Sequence, residues 1–470
     1  MFLALFVSTS VIQVVAVDEL SKHPRNSRTL YEAFSVERGA IIVDGKEIAS
    51  SKPVDDEFSF LRTYKNGKLY APVTGYFTLN QGTSGVEGSL NDYLSGTANE
   101  QFLDRFNSIV SGQPPKGASV ELTLDPGVQK AAWDALGSNT GAVVALDPKT
   151  GEVLAMVSKT SFDPNELASH NTKEVIAKYN ELNKAKSKPL DNRAIAGDLY
   201  APGSVFKVVM TAAALESGKF DQDSEFDNPL RFTLPGTSAV IRNAGGSNCG
   251  GGAKASIATA LRLSCNIPFA QLGRELGNDR ISSTAKAFGF GTSFDLPMPS
   301  TPSAYPPTDS DAQVMLSAFG QGSVRVTPLQ MAMVSAAIAN EGKVMKPTVV
   351  KRILAPDLTV IKEHQPEVFD TPISAKTSAT MTQMLVNGVS NGAASNATIS
   401  GVDVAGKTGT AENGEGQPYT LWFTGFAPAD DPQVAIAVVI ENGGGFGQDA
   451  FGNQVAAPIA KKVLEAVLNR

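Results

Sequence analysis

The 470-residue sequence predicts an α+β fold in which a large C-terminal region follows a smaller N-terminal one. Residues 141–158 place two apolar segments around a Pro-Lys-Thr-Gly turn, which predicts a β-hairpin. Residues 419–426 and 433–440 are rich in apolar and aromatic side chains and predict two adjacent antiparallel strands. Residues 455–468 have the spacing of an amphipathic closing helix, and such strands beside helices are typical of the α+β class.

A linker is predicted at residues 111–117, which are rich in glycine and proline. Residues 18–119 contain short strand-like and turn-like segments without a set of catalytic side chains. We therefore expect a non-catalytic pedestal, dimerisation or partner-docking domain there, and the main domain at residues 120–470.

Several further elements are predicted within the main domain. Residues 205–216 are mostly apolar and follow a Pro-Gly turn, which predicts a buried helix that begins near Ser204. Residues 165–188 predict a polar surface helix, and residues 317–340 predict an apolar one. The proline-rich residues 296–309 predict a loop.

Composition excludes some classes of function. A net charge of −7 argues against nucleic-acid binding, and the 42% apolar content is ordinary for a globular protein with a large core. The sequence has neither cysteines and histidines at metal-ligand spacing nor a Gly-x-Ser-x-Gly elbow. A metal site, a cofactor and a Ser-His-Asp hydrolase are therefore not expected.

Residues 1–17 carry no charge and are apolar apart from Ser8, Thr9, Ser10 and Gln13. As a helix they would span about 26 Å, slightly less than a hydrocarbon core of about 30 Å. They follow no basic segment and precede no Ala-x-Ala site, so we expect the end of an uncleaved membrane anchor whose upstream part is missing. A single-pass anchor would place the chain from Asp18 onward outside the cytoplasm, whereas the alternative is a buried N-terminal helix.

Cys249 and Cys265 are the only cysteines of the sequence, and Cys265 lies between Ser264 and Asn266. A disulfide in an oxidising compartment would close a loop of about 15 residues and stabilise the fold by about 3 kcal/mol. We hypothesise that it would steady Ser264 and Asn266, and two free buried thiols remain the alternative.

Ser204 and Lys207 form the first of three short motifs. Because they are three positions apart on a helix, their side chains share one face. A serine hydroxyl needs a base in order to act as a nucleophile, and a lysine with a reference pKa of about 10.4 can be that base only when it is neutral. Burial and the helix N-terminus both lower a lysine pKa. A Ser-x-x-Lys pattern alone is expected by chance and would indicate only a capped helix.

Ser264 and Asn266 form the second motif. On an extended or loop backbone, residues two positions apart point the same way. The serine could relay a proton, and the asparagine could hold a substrate amide with its donor and acceptor. Alone, this pattern indicates a polar loop after a helix predicted at residues 256–263.

Lys407, Thr408, Gly409 and Thr410 form the third motif, after residues 399–405, whose alternation predicts a strand. The lysine could pair with a carboxylate, and the threonines could add hydroxyl donors. A glycine in a strand often marks the close approach of a ligand or of another backbone. Alone, the motif indicates a turn before the next strand.

The three motifs follow in one order along the chain, since Ser204 precedes Ser264 and Ser264 precedes Lys407. This order and the spacing between the motifs resemble those of penicillin-binding proteins and serine β-lactamases. The chain is most similar to the monofunctional class B D,D-transpeptidases, and among them to the actinobacterial penicillin-binding protein A group. The resemblance extends to other segments of the sequence: 37–42, 122–125 with Gln129, 142–158, 319–322, 327–332 and 422–426.

The resemblance implies an antiparallel sheet beside a helical subdomain, with the active site between them, and peptidoglycan D,D-transpeptidation as the activity. Ser204 would attack the D-Ala-D-Ala carbonyl of a stem peptide, and Lys207 would accept its proton. Ser264 would help to deliver a proton to the leaving D-Ala. An amine from a neighbouring strand would resolve the acyl-enzyme, and β-lactams would acylate Ser204.

The resemblance also implies a set of substrate-binding groups. Asn266 would orient the peptide backbone, while Lys407, Thr408 and Thr410 would hold the terminal carboxylate beside Gly409. The backbone N–H groups of Ser204 and Thr410 would form the oxyanion hole.

The implied partners are stem peptides, β-lactams, the membrane, and cell-wall synthesis or division proteins. Alternatives that share the motifs are a D,D-carboxypeptidase and a β-lactamase or β-lactam sensor, and a catalytically idle scaffold is a third class. The N-terminal region is too short for the glycosyltransferase domain of bifunctional relatives.

Overall fold

The computed structural model describes residues 34–102, 112 and 115–470. The anchor predicted at residues 1–17 lies outside this part of the chain. Within the described ranges, no helix combines the length and the apolar character needed to span a bilayer.

The strands are numbered here along the chain. They are β1 Ile41–Val43, β2 Lys46–Pro53, β3 Phe60–Tyr64, β4 Ser119–Leu122, β5 Gly141–Leu146, β6 Val153–Lys159, β7 Glu225–Asp227, β8 Phe232–Thr233, β9 Val240–Ile241, β10 Lys254–Ser256, β11 Val344–Met345, β12 Val350–Leu354, β13 Val360–Glu363, β14 Val368–Asp370, β15 Ala405–Ala411, β16 Thr420–Ala427 and β17 Val434–Ile440.

The α-helices are numbered in the same way. They are α1 Gly67–Thr74, α2 Gly85–Ser89, α3 Asn91–Leu94, α4 Pro126–Leu136, α5 Asn165–Ala168, α6 Thr172–Lys184, α7 Lys207–Glu216, α8 Ile257–Leu263, α9 Ile267–Leu276, α10 Asn278–Ala287, α11 Asp311–Ser317, α12 Pro328–Ala339, α13 Ala375–Ser390 and α14 Gly452–Leu468.

A five-stranded antiparallel sheet forms the centre of the main domain, in the order β15-β16-β17-β5-β6. The predicted hairpin is β5 and β6, and the predicted strand pair is β16 and β17. Every residue of β16 and β17 is buried, because α12 packs on one face of the sheet while α4 and α14 pack on the other. These strands are therefore continuous apolar runs rather than alternating ones.

A six-stranded sheet forms the N-terminal part, in the order β13-β12-β4-β1-β2-β3. β1 runs parallel to β4, and β4 pairs antiparallel with β12. Since the chain passes through β5 to β11 between β4 and β12, it returns from the main domain to complete the sheet that the N-terminal residues begin.

A buried ionic cluster joins this sheet to α2. Glu87 is fully buried and accepts hydrogen bonds from Arg38 Nε at 2.6 Å, Arg62 Nε at 2.7 Å and Tyr64 Oη at 3.1 Å. Burial alone would raise the pKa of Glu87, but the two guanidiniums outweigh it and lower the pKa. The cluster therefore holds one carboxylate against two cations inside the N-terminal part.

Two predicted elements are corrected by the structure. The apolar helix predicted at residues 317–340 is instead two helices, α11 and α12, because Gly320 adopts a φ of 77° and Pro328 starts the second helix. The strand predicted at residues 399–405 begins only at the end of that range, as β15, and contains the third motif rather than preceding it.

Glu87→Ala should destabilise the protein by about 3–5 kcal/mol, because it leaves two guanidiniums buried without their carboxylate. Denaturant unfolding measures this change. Asp431→Ala, which breaks the exposed ion pair with Lys149, is the matched control and should leave stability nearly unchanged. Equal effects of the two variants would contradict a structural role for the cluster.

Candidate active site

Ser204 lies in a 3-10 turn, Gly203–Phe206, that leads directly into α7. Gly203 has a φ of 54°, and a Cβ there would lie 2.7 Å from the Thr410 carbonyl oxygen. Its N–H donates to the Gly320 carbonyl at 2.9 Å. Glycine is required at position 203 because the turn must pass this close to β15.

Lys207 is fully buried at the start of α7. Its Nζ donates to the Ser264 carbonyl at 2.7 Å and to Asn266 Oδ1 at 2.8 Å. Burial, reinforced by the nearby charge of Lys407, lowers the pKa of Lys207 well below its usual value. A neutral amine has two N–H groups and one lone pair, so both N–H groups have acceptors and the lone pair is left for an incoming proton.

Ser264 follows α8 in the left-handed conformation, with a φ of 63°. Its Oγ accepts a hydrogen bond from Lys407 Nζ at 2.7 Å, and the same Nζ donates to the Thr408 carbonyl at 2.8 Å. Burial lowers the pKa of Lys407 to about 7. Because the lysine supplies the donor, the Ser264 hydroxyl proton is available for another acceptor.

The Asn266 side-chain amide forms hydrogen bonds with two different parts of the fold. Its Oδ1 accepts from Lys207, and its Nδ2 donates to the Arg242 carbonyl at 2.9 Å. An amide nitrogen carries two N–H donors, so one donor remains for a ligand in the cleft that Asn266 lines.

The third motif lies on β15, the edge strand of the central sheet. A Cβ at Gly409 would lie 2.9 Å from the Pro202 carbonyl oxygen, so glycine permits the contact with the Ser204 turn. Thr410 lines the cleft, and its Oγ1 accepts from the Gly452 N–H at 3.2 Å. Thr408 also lines the cleft, and its hydroxyl donates to the Ala393 carbonyl at 2.8 Å.

A cleft of about 890 Å³ lies between the sheet edge and the helical part, and all of the motif residues except the buried Lys207 and Lys407 line it. Ser204 lines it, and its hydroxyl has no hydrogen-bond partner within the described part of the chain. Lys207 lies beneath this wall and forms no hydrogen bond with Ser204 in this structure. The cleft wall also includes Ser264, Asn266, Thr408, Gly409, Thr410, Arg242, Asn243, Phe319, Glu412, Tyr419 and Phe451.

A disulfide joins Cys249 to Cys265, with Cα atoms 5.7 Å apart. Cys265 is fully buried and lies between the two residues of the second motif. The link therefore fixes the backbone of that motif to the loop after β9. Among the described residues, no group of histidine, cysteine, aspartate and glutamate side chains could hold a metal ion.

Some contributing residues escaped the sequence analysis. Asn243 Oδ1 accepts from the N–H groups of Asn266 at 2.8 Å and Ile267 at 3.0 Å. Glu441 accepts from Arg193 Nε at 2.9 Å and from Tyr200 Oη at 2.6 Å, which ties the segment before Ser204 to the end of β17. No motif surrounds these residues, and only their contacts in the fold identify them.

Two known protein families match the N-terminal and the C-terminal parts of the chain. The family described as the penicillin binding protein transpeptidase domain matches residues 141–465, and the penicillin binding protein A dimerisation domain matches residues 38–120. Peptidoglycan D,D-transpeptidase PbpA of Mycolicibacterium smegmatis is 39% identical over 99% of this chain and 96% of its own.

Solved structures are similar as well. Penicillin-binding protein A from M. tuberculosis, as its ceftriaxone acyl-enzyme complex, has a TM-score of 0.90 and 37% identity, and the match covers 93% of this chain and all of that one. Its penicillin G acyl-enzyme complex has a TM-score of 0.88 and covers 92% of this chain. The predicted α+β fold with a smaller N-terminal domain is confirmed.

Thiol titration of the denatured, unreduced protein should find no free thiol, because both cysteines are in the disulfide. The double variant Cys249→Ser/Cys265→Ser should lose about 3 kcal/mol of stability on the chain-entropy account of a loop this size. Titration before and after reduction provides the internal control. Two free thiols before reduction would contradict the disulfide.

Proposed function

This chain belongs to the penicillin-binding protein transpeptidases, and we propose that it cross-links peptidoglycan stem peptides through an acyl-enzyme formed on Ser204. It is a serine-type D,D-transpeptidase that β-lactams inhibit. One observation carries the assignment of the site: the unpartnered Ser204 hydroxyl lines the same cleft as Ser264 and Asn266, and the buried Lys207 amine, three residues after Ser204, donates to both of those residues. This arrangement supplies a nucleophile and its base without a histidine.

In the proposed acylation, Ser204 Oγ attacks the carbonyl carbon of the D-Ala-D-Ala bond. The serine proton passes to Lys207 Nζ, which is neutral because its burial disfavours the ammonium form. The carbonyl π electrons move to its oxygen, and the tetrahedral intermediate then expels the D-Ala nitrogen. The ester on Ser204 is the acyl-enzyme.

The leaving nitrogen needs a proton. Ser264 is placed to deliver it, because its Oγ already accepts a hydrogen bond from Lys407 and its own hydroxyl proton is free. We assign Ser264 this relay of protons between the lysines and the leaving group. An amine from a neighbouring strand then attacks the ester, gives up its proton by the reverse route and restores Ser204.

Lys407 is buried against Ser264 and Thr408, which line the cleft. We assign the terminal carboxylate to Lys407, when protonated, and to the Thr410 hydroxyl, and a peptide carbonyl to the second N–H of Asn266 Nδ2. The backbone N–H groups of Ser204 and Thr410 form the oxyanion hole, where one donor commonly contributes about 10²–10³-fold. Thr408 also fixes the strand through its hydrogen bond to Ala393.

We further propose that residues 1–17 anchor the enzyme as a single pass and that the catalytic domain lies outside the cytoplasm. The disulfide supports this location, because such bonds persist in oxidising compartments. The N-terminal part is proposed to dock cell-wall synthesis or division proteins.

Ser204→Ala should abolish covalent labelling by a fluorescent penicillin, because the acylated oxygen is removed. Ser283→Ala, at an exposed serine of α10, is the matched control and should label like the natural protein. Mass spectrometry should place the adduct on the peptide that contains Ser204. Persistent labelling of Ser204→Ala would falsify the nucleophile assignment.

The rate constant for acylation of free enzyme should fall as pH rises through about 7, because Lys407 then loses the charge that holds the carboxylate. It should also fall at low pH, where Lys207 becomes protonated. Lys407→Arg should remove the alkaline limb, since a guanidinium stays charged up to about pH 12, but keep the acid limb. Lys462→Arg, at an exposed position of α14, is the control. An alkaline limb unchanged in Lys407→Arg would contradict this role.

A further inference from the structure

Helix α9 begins at Ile267, immediately after the second motif, and its own N-cap residue does not cap it. Asn266 occupies the N-cap position, and asparagine is among the best N-cap residues. Its side chain makes no capping hydrogen bond, because Oδ1 accepts from Lys207 and Nδ2 donates to the Arg242 carbonyl. The first N–H groups of a helix nevertheless need acceptors when they are buried.

Asn243 supplies the missing acceptor from the loop after β9, which precedes α8 in the chain. Its side chain is buried, and its Oδ1 accepts from the N–H groups of both Asn266 and Ile267. A residue outside the motif therefore holds the backbone on both sides of the Asn266 side chain, whose oxygen accepts from Lys207.

A second buried asparagine orients Asn243. Asn243 Nδ2 donates to Asn228 Oδ1 at 2.8 Å, and Asn228 is fully buried. Asn228 Nδ2 donates in turn to the carbonyls of Cys249 at 2.7 Å and Gly252 at 3.1 Å. Because both amides have partners for their oxygen and nitrogen, the two asparagine side chains have one preferred orientation. Their hydrogen bonds connect the loop that contains Cys249 to the second motif, in addition to the disulfide.

We propose that Asn243 is a positioning residue for acylation, because its oxygen holds the two backbone N–H groups on either side of the Asn266 side chain and so fixes the direction in which that side chain reaches Lys207 and substrate. The proposal rests on the proposed function of the cleft. Without Asn243, the N–H groups of Asn266 and Ile267 lose their acceptor. The Asn266 side chain cannot replace it, since an N-cap side chain bonds the second or third helical N–H and the second helical residue is Pro268. The backbone at Asn266 would then shift, and with it the oxygen that receives the Lys207 hydrogen bond.

The test is a double-mutant cycle read out as the acylation rate constant with a fluorescent penicillin. Asn243→Ala should slow acylation by about tenfold or more, because the N–H groups of Asn266 and Ile267 lose their acceptor and the backbone that orients the Asn266 side chain is no longer held. In an Asn266→Ala background, the same substitution should change the rate by less than about twofold, since the residue through which it acts is gone. Thermal unfolding should still report lost stability in both backgrounds.

Two controls distinguish this role from a general loss of structure. Asn171→Ala removes a capping asparagine from α6, outside the cleft, and should lower stability without slowing acylation. Asn243→Asp keeps an acceptor for the two N–H groups but loses the N–H that Asn228 Oδ1 accepts, so it should recover only part of the rate. If Asn243→Ala does not fold, the cycle is run with Asn228→Ala, which removes the bond that orients Asn243.

Equal rate effects in the two backgrounds, or acylation of Asn243→Ala at the natural rate, would overturn the proposal. Those outcomes differ from failure of the proposed function itself, which would appear as absent acylation of the natural protein.

Discussion

The active site depends on the burial of two lysine amines around one serine. Lys207 donates to the carbonyl of Ser264, and Lys407 donates to its hydroxyl. Neither lysine has a carboxylate partner among the described ion pairs. Two buried ammonium groups that share neighbours repel each other and lack solvent, so the site favours one neutral and one charged amine at neutral pH. Burial lowers the pKa of both lysines, and Lys407 adds to the lowering at Lys207; we propose Lys207, the neighbour of Ser204 on α7, as the base.

Burial of the lysines lowers the free energy of unfolding, and its pH dependence follows from how many protons the folded and unfolded chains bind. Lys407 titrates near 7 in the folded protein but near 10.5 when exposed. Between these pH values the unfolded chain binds more protons, so the contribution of this residue to the free energy of unfolding rises with pH. At neutral pH the penalty is largely present. The apolar layers on both faces of the central sheet, together with the disulfide, offset it.

Sequence patterns predicted the elements that are defined by residues close together in the chain. The hairpin of β5 and β6, the strand pair β16 and β17, and helix α14 were predicted because apolar runs and turn residues define them. The addition of β12 to the N-terminal sheet was missed, since pairing between distant strands leaves no periodicity in either one. The break at residues 318–327 has a local signal in Pro328, which starts the second helix, and a tertiary cause at Gly320, which needs a left-handed backbone where it crosses Gly203.

The motifs were recognised from their residue types, but the contacts that make those side chains available were not. Thr408 has a motif hydroxyl that the fold commits to Ala393, and no sequence pattern distinguishes it from Thr410. Asn266 shows the reverse case, because a residue with strong capping propensity makes no capping bond and its oxygen accepts from Lys207 instead. Asn243, outside the motif, holds the backbone N–H groups of Asn266 and Ile267. The arrangement of the motif side chains therefore depends on contacts with residues outside the motifs, and a motif alone specifies the chemistry without specifying those contacts.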